Sequence, residues 1–194
     1  VIDSGNYKTS LLIKKLSNIL RYTFDQKHQD VYMLQEMAWI EQYLFLQKSR
    51  YEDMFDYEID FPPEFEDWPC RKLMLQPFVE NSILHGFDGR QKGGIIRIQG
   101  EACGDRFKLI RSDNGIGMDQ ATEDIIRNIL LRPSVQHHHS VGIGISNVVT
   151  RMKMYYKDEL EIVLNTGQGK GTSFTFLIPK IKNTERIGEK RCAS

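Results

Sequence analysis

The stretch Leu75–Phe87, LQPFVENSILHGF, constrains this chain more than any other. Wound as a helix at 3.6 residues per turn, it sets Leu75, Phe78, Val79 and Ile83 on one face. Glu80, Asn81, Leu84 and His85 fall on the opposite face. Pro77 fits, because the first turn of a helix has no internal partner for the missing N–H. One side needs a core, and the other offers a carboxylate, an amide and an imidazole. Glu80 and Asn81 supply oxygen, the ligand type of hard cations such as Mg²⁺. The plain alternative is a surface helix whose polar side is only solvated.

The chain has 194 residues, enough for one domain of ordinary size with an appendage, and 40% hydrophobic content supports a core. Formal net charge is zero, so no global field argues for nucleic acid or an anionic membrane surface. Cys70, Cys103 and Cys192 form no CxxC pair, which fits a reducing compartment and gives no metal framework. No apolar run approaches the ~20 residues of a membrane span. No signal peptide opens the chain. Val1 in place of an initiator Met suggests a piece of a longer protein.

Leu12, Leu16, Ile19 and Leu20 repeat at helical spacing, after a patternless Val1–Lys8. Asp25–Asp30 reads as a polar connection, followed by a helix over about Leu34–Tyr51. Met33, Trp39, Ile40, Tyr43, Phe45 and Leu46 make that helix apolar on more than one face. Packing against a second copy in a bundle explains this, and packing onto the chain's own domain is the alternative. Strands are expected at Phe55–Phe61, Ile95–Gly100, Phe107–Ser112, Leu160–Leu164 and Ser173–Ile178, with helices at Ala121–Leu131 and Gly142–Tyr156. Ser134–Val141 reads as a polar loop and Lys180–Ser194 as a mobile tail. Strands joined by short turns imply antiparallel neighbours. The expected class is α+β, a two-layer sandwich with helices on one face of the sheet.

Three glycine-rich stretches follow the central helix: Asn114–Gly117, Gly142–Ile143–Gly144, and Gly169–Lys170–Gly171–Thr172. Glycine lets a backbone approach an anion and present its N–H groups, and the second stretch opens a helix, whose free N–H groups favour phosphate. Each alone is weak and more often a turn. None is a P-loop, and GIGISN is not the dinucleotide fingerprint, because Asn147 stands where a third small residue belongs. Asp113 ends a strand before the first loop. Its carboxylate could accept a hydrogen bond from an amino group such as that of adenine, or serve as a loop cap.

Together and in this order, LQPFVENSILHG, DNGIGM, GIGISNVVTRM and GKGTSFTFLIP resemble the N box and three glycine boxes of the Bergerat or GHKL superfamily. Within it the chain looks like sensor histidine kinases of the LytS/YesM type, over nearly all of Leu12–Pro179. The resemblance implies a Bergerat-type sandwich with a mixed, largely antiparallel sheet. It also implies a map: residues 1–54 a helical dimerisation and phosphoacceptor remnant, 55–180 the ATP-binding catalytic domain, 181–194 a flexible tail. ATP and Mg²⁺ are the implied cofactors. Asn81 would ligate Mg²⁺, and Glu80 would act as, or help position, the base. His85 would lie near the phosphates or hold the helix. Asp113 would read the adenine amino group. Gly115, Gly117, Gly142, Ile143 and Gly144 would shape the pocket and its lid, which lies within Asn114–Ser140. Thr172 would lie beside the base, with Gly169 and Gly171 allowing close approach.

Two departures stand out. Leu84 occupies a position where many relatives carry Lys or Arg. No NPHFxxN-like acceptor segment is present, and His28, in DQKHQD, reads as a polar loop. His137–His139 read as part of the lid loop, since three consecutive side chains cannot all face one ion in regular structure. The implied activity is transfer of the ATP γ-phosphoryl group to a histidine and on to an aspartate of a response regulator, without autophosphorylation of this chain alone. The implied setting is a homodimer through the N-terminal helices, on the cytoplasmic side of a membrane-anchored bacterial sensor, with no nucleic-acid partner. The competing readings are an ATP-hydrolysing clamp of the gyrase, Hsp90 or mismatch-repair type and a non-catalytic ATP-binding regulator.

Overall fold

A computed structural model describes residues 4–25, 27–89, 92–132 and 142–180. Helix α1 (Ser4–Phe24) starts inside the stretch expected to be patternless. It packs along α2 (Met33–Tyr51). The main sheet has five strands in the order β2 (Phe55–Asp60), β4 (Gly94–Cys103), β5 (Arg106–Asp113), β7 (Thr172–Pro179) and β6 (Glu161–Thr166). β2 runs parallel to β4 and the other neighbours are antiparallel. Two short strands, β1 (Asp30–Tyr32) and β3 (Pro69–Arg71), form a separate antiparallel ribbon that sequence periodicity did not reveal. Three residues are too few to show alternation.

One face of the sheet is dry. Ile96, Ile98, Phe107, Leu109, Phe174, Phe176 and Ile178 are all fully buried there. The helical layer over it contains α3 (Gln76–Asn81), α4 (Gln120–Leu131) and α5 (Ile143–Tyr156). The apolar stripe read from the sequence is the root of α3: Leu75, Phe78, Val79 and Ile83 are at most 5% exposed. Phe78 meets Phe174 and Phe176 edge-on, at centroid distances of 4.7 and 5.0 Å. The expected single helix over Leu75–Phe87 is corrected in its second half, where Ser82–Gly86 is a π turn closed by Phe87 N–H donating to the Ser82 carbonyl at 2.9 Å. A π turn inserts one residue per turn and so re-aims the side chains around it.

Within this chain, α2 buries Met33, Met37, Trp39, Ile40 and Leu44. Its several apolar faces are therefore used by its own neighbours: α1 on one side, and β1, β2 and β3 on others. Neighbours within the chain thus cover much of that pattern, while Tyr43, Phe45 and Leu46 are half-buried.

Glu36, in the first turn of α2, is fully buried. Its carboxylate accepts from Tyr22 Oη at 3.1 Å, Leu73 N at 2.8 Å and Leu75 N at 3.2 Å. It thereby ties α1 and α2 to the segment leading into α3. Loss of hydration pushes the Glu36 pKa up, while these hydrogen bonds pull against that rise. A carboxyl whose folded pKa is raised contributes most below its unfolded value, and that contribution is lost as pH rises through the folded value. The Glu36 contribution to stability is thus expected to decline as pH climbs above the ordinary carboxyl range, and Glu36→Gln should remove that part of the slope. Denaturant melts of both proteins across a pH series check this; parallel slopes would refute it.

Candidate functional site

A cavity of about 770 Å³ opens between α3, the ends of β5 and β7, the loop after β5 and the first residues of α5. Small-molecule and cofactor sites span about 300–1,000 Å³. Glu80, Asn81, His85, Asp113, Gly117, Gly142, Ile143, Gly144 and Thr172, all singled out in the sequence, line it. Gly115, Gly169 and Gly171 do not. A β carbon on Gly115 would meet the Gly86 carbonyl oxygen at 2.4 Å, and one on Gly171 the Asp113 carbonyl oxygen at 2.1 Å. These two glycines let the loops pack on one another, behind the cavity wall. Gly169 has open space around it.

Asp113 sits at the end of β5 with its side chain 2% exposed. Oδ1 accepts from Gly115 N at 2.8 Å and Thr172 N at 3.3 Å. Oδ2 accepts from the Ser82 hydroxyl and pairs with Arg111 Nη1 at 3.0 Å. Four donors match the roughly four lone-pair sites of a carboxylate. A ligand donor must displace one of them, and the Ser82 hydroxyl can rotate away without moving backbone.

Glu80 is half-buried, and both its protein donors use Oε1: Gln76 Nε2 at 2.7 Å and Tyr43 Oη at 3.1 Å. Tyr43 belongs to α2, so the helical lead segment reaches into the site. Burial and then the Glu80 charge raise the Tyr43 pKa, which keeps the phenol a donor. Asn81 is half-buried and, among the described residues, nothing hydrogen-bonds its side chain. His85 is exposed at the rim, and Leu84 beside it is 58% exposed. Among the described residues no group of three or more His, Cys, Asp or Glu side chains could hold a metal ion. A cation here needs oxygens brought by the ligand.

His28 lies away from this cavity, exposed, with Nδ1 2.8 Å from Asp25 Oδ2. Residues 133–141, with His137–His139 and most of the loop before α5, fall outside the described residues, as does the tail from 181. Among the described residues no helix is long and apolar enough to cross a membrane.

Tyr43, Gln76, Ser82 and Arg111 were not singled out in the sequence. Arg111 carried a signal: Phe107 and Leu109 alternate toward the core, and an arginine follows in that register. Tyr43 carried none, since its reach to Glu80 spans two distant segments.

Residues 71–182 match the family of histidine kinase-, DNA gyrase B- and HSP90-like ATPases, and residues 1–55 match the histidine kinase family. An uncharacterized sensor-like histidine kinase of Staphylococcus epidermidis is 29% identical over 88% of this chain and 32% of its own length. Sensor protein kinase HptS of Staphylococcus aureus is 27% identical over 87% of this chain and 32% of its own. The chain thus spans about a third of the length of these relatives. In three dimensions it is similar to the histidine kinase domain of the Erythrobacter litoralis blue-light activated kinase EL346, with TM-score 0.55, 12% identity, and coverage of 88% of this chain and 74% of that one. The catalytic domain of histidine kinase ThkA gives TM-score 0.55 at 16% identity, over 78% of this chain and 94% of that one. At such identities these likenesses establish the shared fold. The family matches, with the cavity they enclose, place this chain in the histidine kinase-, DNA gyrase B- and HSP90-like ATPase family, as the ATP-binding catalytic domain of a sensor histidine kinase.

Proposed function

We propose that the intact protein transfers the γ-phosphoryl group of ATP to a histidine and on to an aspartate of a response regulator, as a homodimer through the helical lead segment. A place on the cytoplasmic side of a membrane-anchored sensor belongs to the same reading, as does the map of a helical segment to residue 54, a catalytic domain to 180 and a tail beyond. The observation that carries it is one cavity lined by Glu80 and Asn81 from α3 and by Asp113 from the end of β5. Asp113 reads the adenine amino group, with Thr172 beside it. Gly117, Gly142, Ile143 and Gly144 shape the phosphate end, with Gly115, Gly169 and Gly171 holding the loops. Glu80 takes or orients the proton of the attacking group through the oxygen that Gln76 and Tyr43 leave free. His85 stands at the phosphate rim.

The residues fit a hard cation only with the nucleotide's help: Asn81 brings one neutral oxygen, and no acidic cluster is present among the described residues. A bound Mg²⁺ supplies charge neutralisation across the phosphates. Mg²⁺ affinity is therefore expected to be weak alone and strong with ATP, and Asn81→Ala should abolish that coupling. Titration calorimetry with and without ATP tests it, and tight binding to the protein alone would count against it.

Transfer also needs an acceptor nitrogen in line with the leaving oxygen. Among the described residues, His28 is paired with Asp25 outside the cavity and His85 is held on its wall. Residues 1–194 alone are expected to bind Mg·ATP without labelling themselves on histidine. Incubation with γ-labelled ATP followed by acid and alkali treatment tests this; stoichiometric acid-labile label on the chain would overturn it.

A further inference from the structure

The base end of the cavity holds a charge that the reading above leaves unused. Arg111 lines the cavity next to Asp113, Thr172 and Phe174, yet is 0% exposed. It follows Phe107 and Leu109 on the buried side of β5, where the alternation calls for a third apolar side chain. Its cross-strand neighbours are Ile98 and Phe174, both fully buried. Among the described residues its guanidinium has one partner, Oδ2 of Asp113 at 3.0 Å, and Nε and Nη2 have none. Burial weighs against its charge, and Asp113 alone offsets that. Two unpaired donors on a buried cation are costly, and native structures rarely keep them without a partner to come.

The packing around Asp113 says where that partner arrives. Gly115 N and Thr172 N fix Oδ1 through backbone. Oδ2 carries Ser82 and Arg111. Arg111 cannot leave without losing its one partner, so an incoming amino group replaces the Ser82 hydroxyl. It then lands on the oxygen that Arg111 shares, and the next atom along the base edge faces the guanidinium. Adenine carries a ring acceptor on either side of its amino group, N7 on one edge and N1 on the Watson–Crick edge.

We propose, on the reading that the cavity holds ATP, that Arg111 is a second base-reading residue: Asp113 accepts from the adenine amino group while Arg111 donates to N1. Asp113 alone selects a ring bearing an amino group. With Arg111 the site demands a donor and an adjacent acceptor in a fixed order, and at the same two ring positions guanine presents an acceptor, O6, and then a donor, N1–H. Sites built to hydrogen-bond a group discriminate strongly against analogues that lack it, because the protein's own buried group is then left unpaired.

The test is calorimetric titration of the chain with ATP and with 1-deaza-ATP, in which N1 is replaced by C–H. The wild-type chain is expected to bind 1-deaza-ATP about tenfold or more weakly than ATP. In Arg111→Met that ratio should fall to within about twofold. Arg111→Lys keeps a cation for Asp113 but loses the second and third donors of the planar group, so it should fold and show the same reduced ratio. It stands in should Arg111→Met fail to fold. Equal affinity of the wild-type chain for both nucleotides overturns the proposal and leaves the ATP cavity intact. So does an undiminished ratio in Arg111→Lys. Failure of the wild-type chain to bind ATP overturns both readings.

Discussion

Asp113→Asn is expected to cost this protein twice. The first loss is in ATP affinity, about 1–3 kcal/mol, the scale of one buried charge-assisted hydrogen bond. Selectivity for ATP over GTP should fall with it. The second loss is in the fold. Among the described residues Asp113 is the only partner of the buried Arg111 guanidinium, and it also accepts from Gly115 N, Thr172 N and Ser82. An amide has one oxygen and one NH₂, so either orientation sets a donor against a donor, Arg111 on one side or the two backbone N–H groups on the other. Breaking one side of a buried ion pair typically costs about 3–5 kcal/mol. The same substitution in an Arg111→Met background should cost clearly less stability, because no charge is then orphaned. Chemical melts of the four proteins measure the fold, and calorimetry measures the nucleotide. Unchanged affinity and selectivity in Asp113→Asn would remove Asp113 from the base site.

The helix that organises the site was readable because its two demands coincide. Leu75, Phe78, Val79 and Ile83 must be buried, and that alone turns Glu80 and Asn81 toward the cavity. The five strands of the main sheet were readable for a similar reason, since one dry face forces alternation along each of them. What stayed hidden depends on contacts between segments far apart in sequence. Tyr43 reads as one more apolar residue on a crowded helix until α2 lies beside Gln76 and Glu80. The ribbon of Asp30–Tyr32 with Pro69–Arg71 exists through its pairing, and neither strand has a pattern of its own. The π turn at Ser82–Gly86 is also invisible to a period of 3.6, although it follows directly on the most legible stretch. Arg111 is the opposite case. The sequence displays it as a polar break in the alternation of β5, at a position where a buried arginine is uncommon.

The glycine boxes were read as approaches to a ligand, and within the third of them the structure separates two glycines, of which one alone is expected to show a large effect. Gly169 and Gly171 share a backbone conformation, with φ of +75° at each. An alanine in that left-handed region costs about 1–2 kcal/mol whatever surrounds it. Their surroundings differ completely. A β carbon on Gly169 meets nothing within 4 Å, whereas one on Gly171 would lie 2.1 Å from the Asp113 carbonyl oxygen and 3.1 Å from Asn114 Cα. That is backbone, and it cannot swing aside as a side chain would. Relief requires β7 to part from β5 at the Asp113–Thr172 pair, which carries Asp113 away from Ser82 and from the Thr172 N–H. Gly169→Ala is therefore expected to lose only the conformational cost and to bind ATP as the wild type does. Gly171→Ala should lose substantially more stability and bind ATP about tenfold or more weakly, each tenfold being about 1.4 kcal/mol. Melts and calorimetry on the matched pair separate backbone strain from the close approach, because the strain is common to both. Equal losses in the two variants would mean that the contact between the first and third glycine loops is not what holds Asp113 in place.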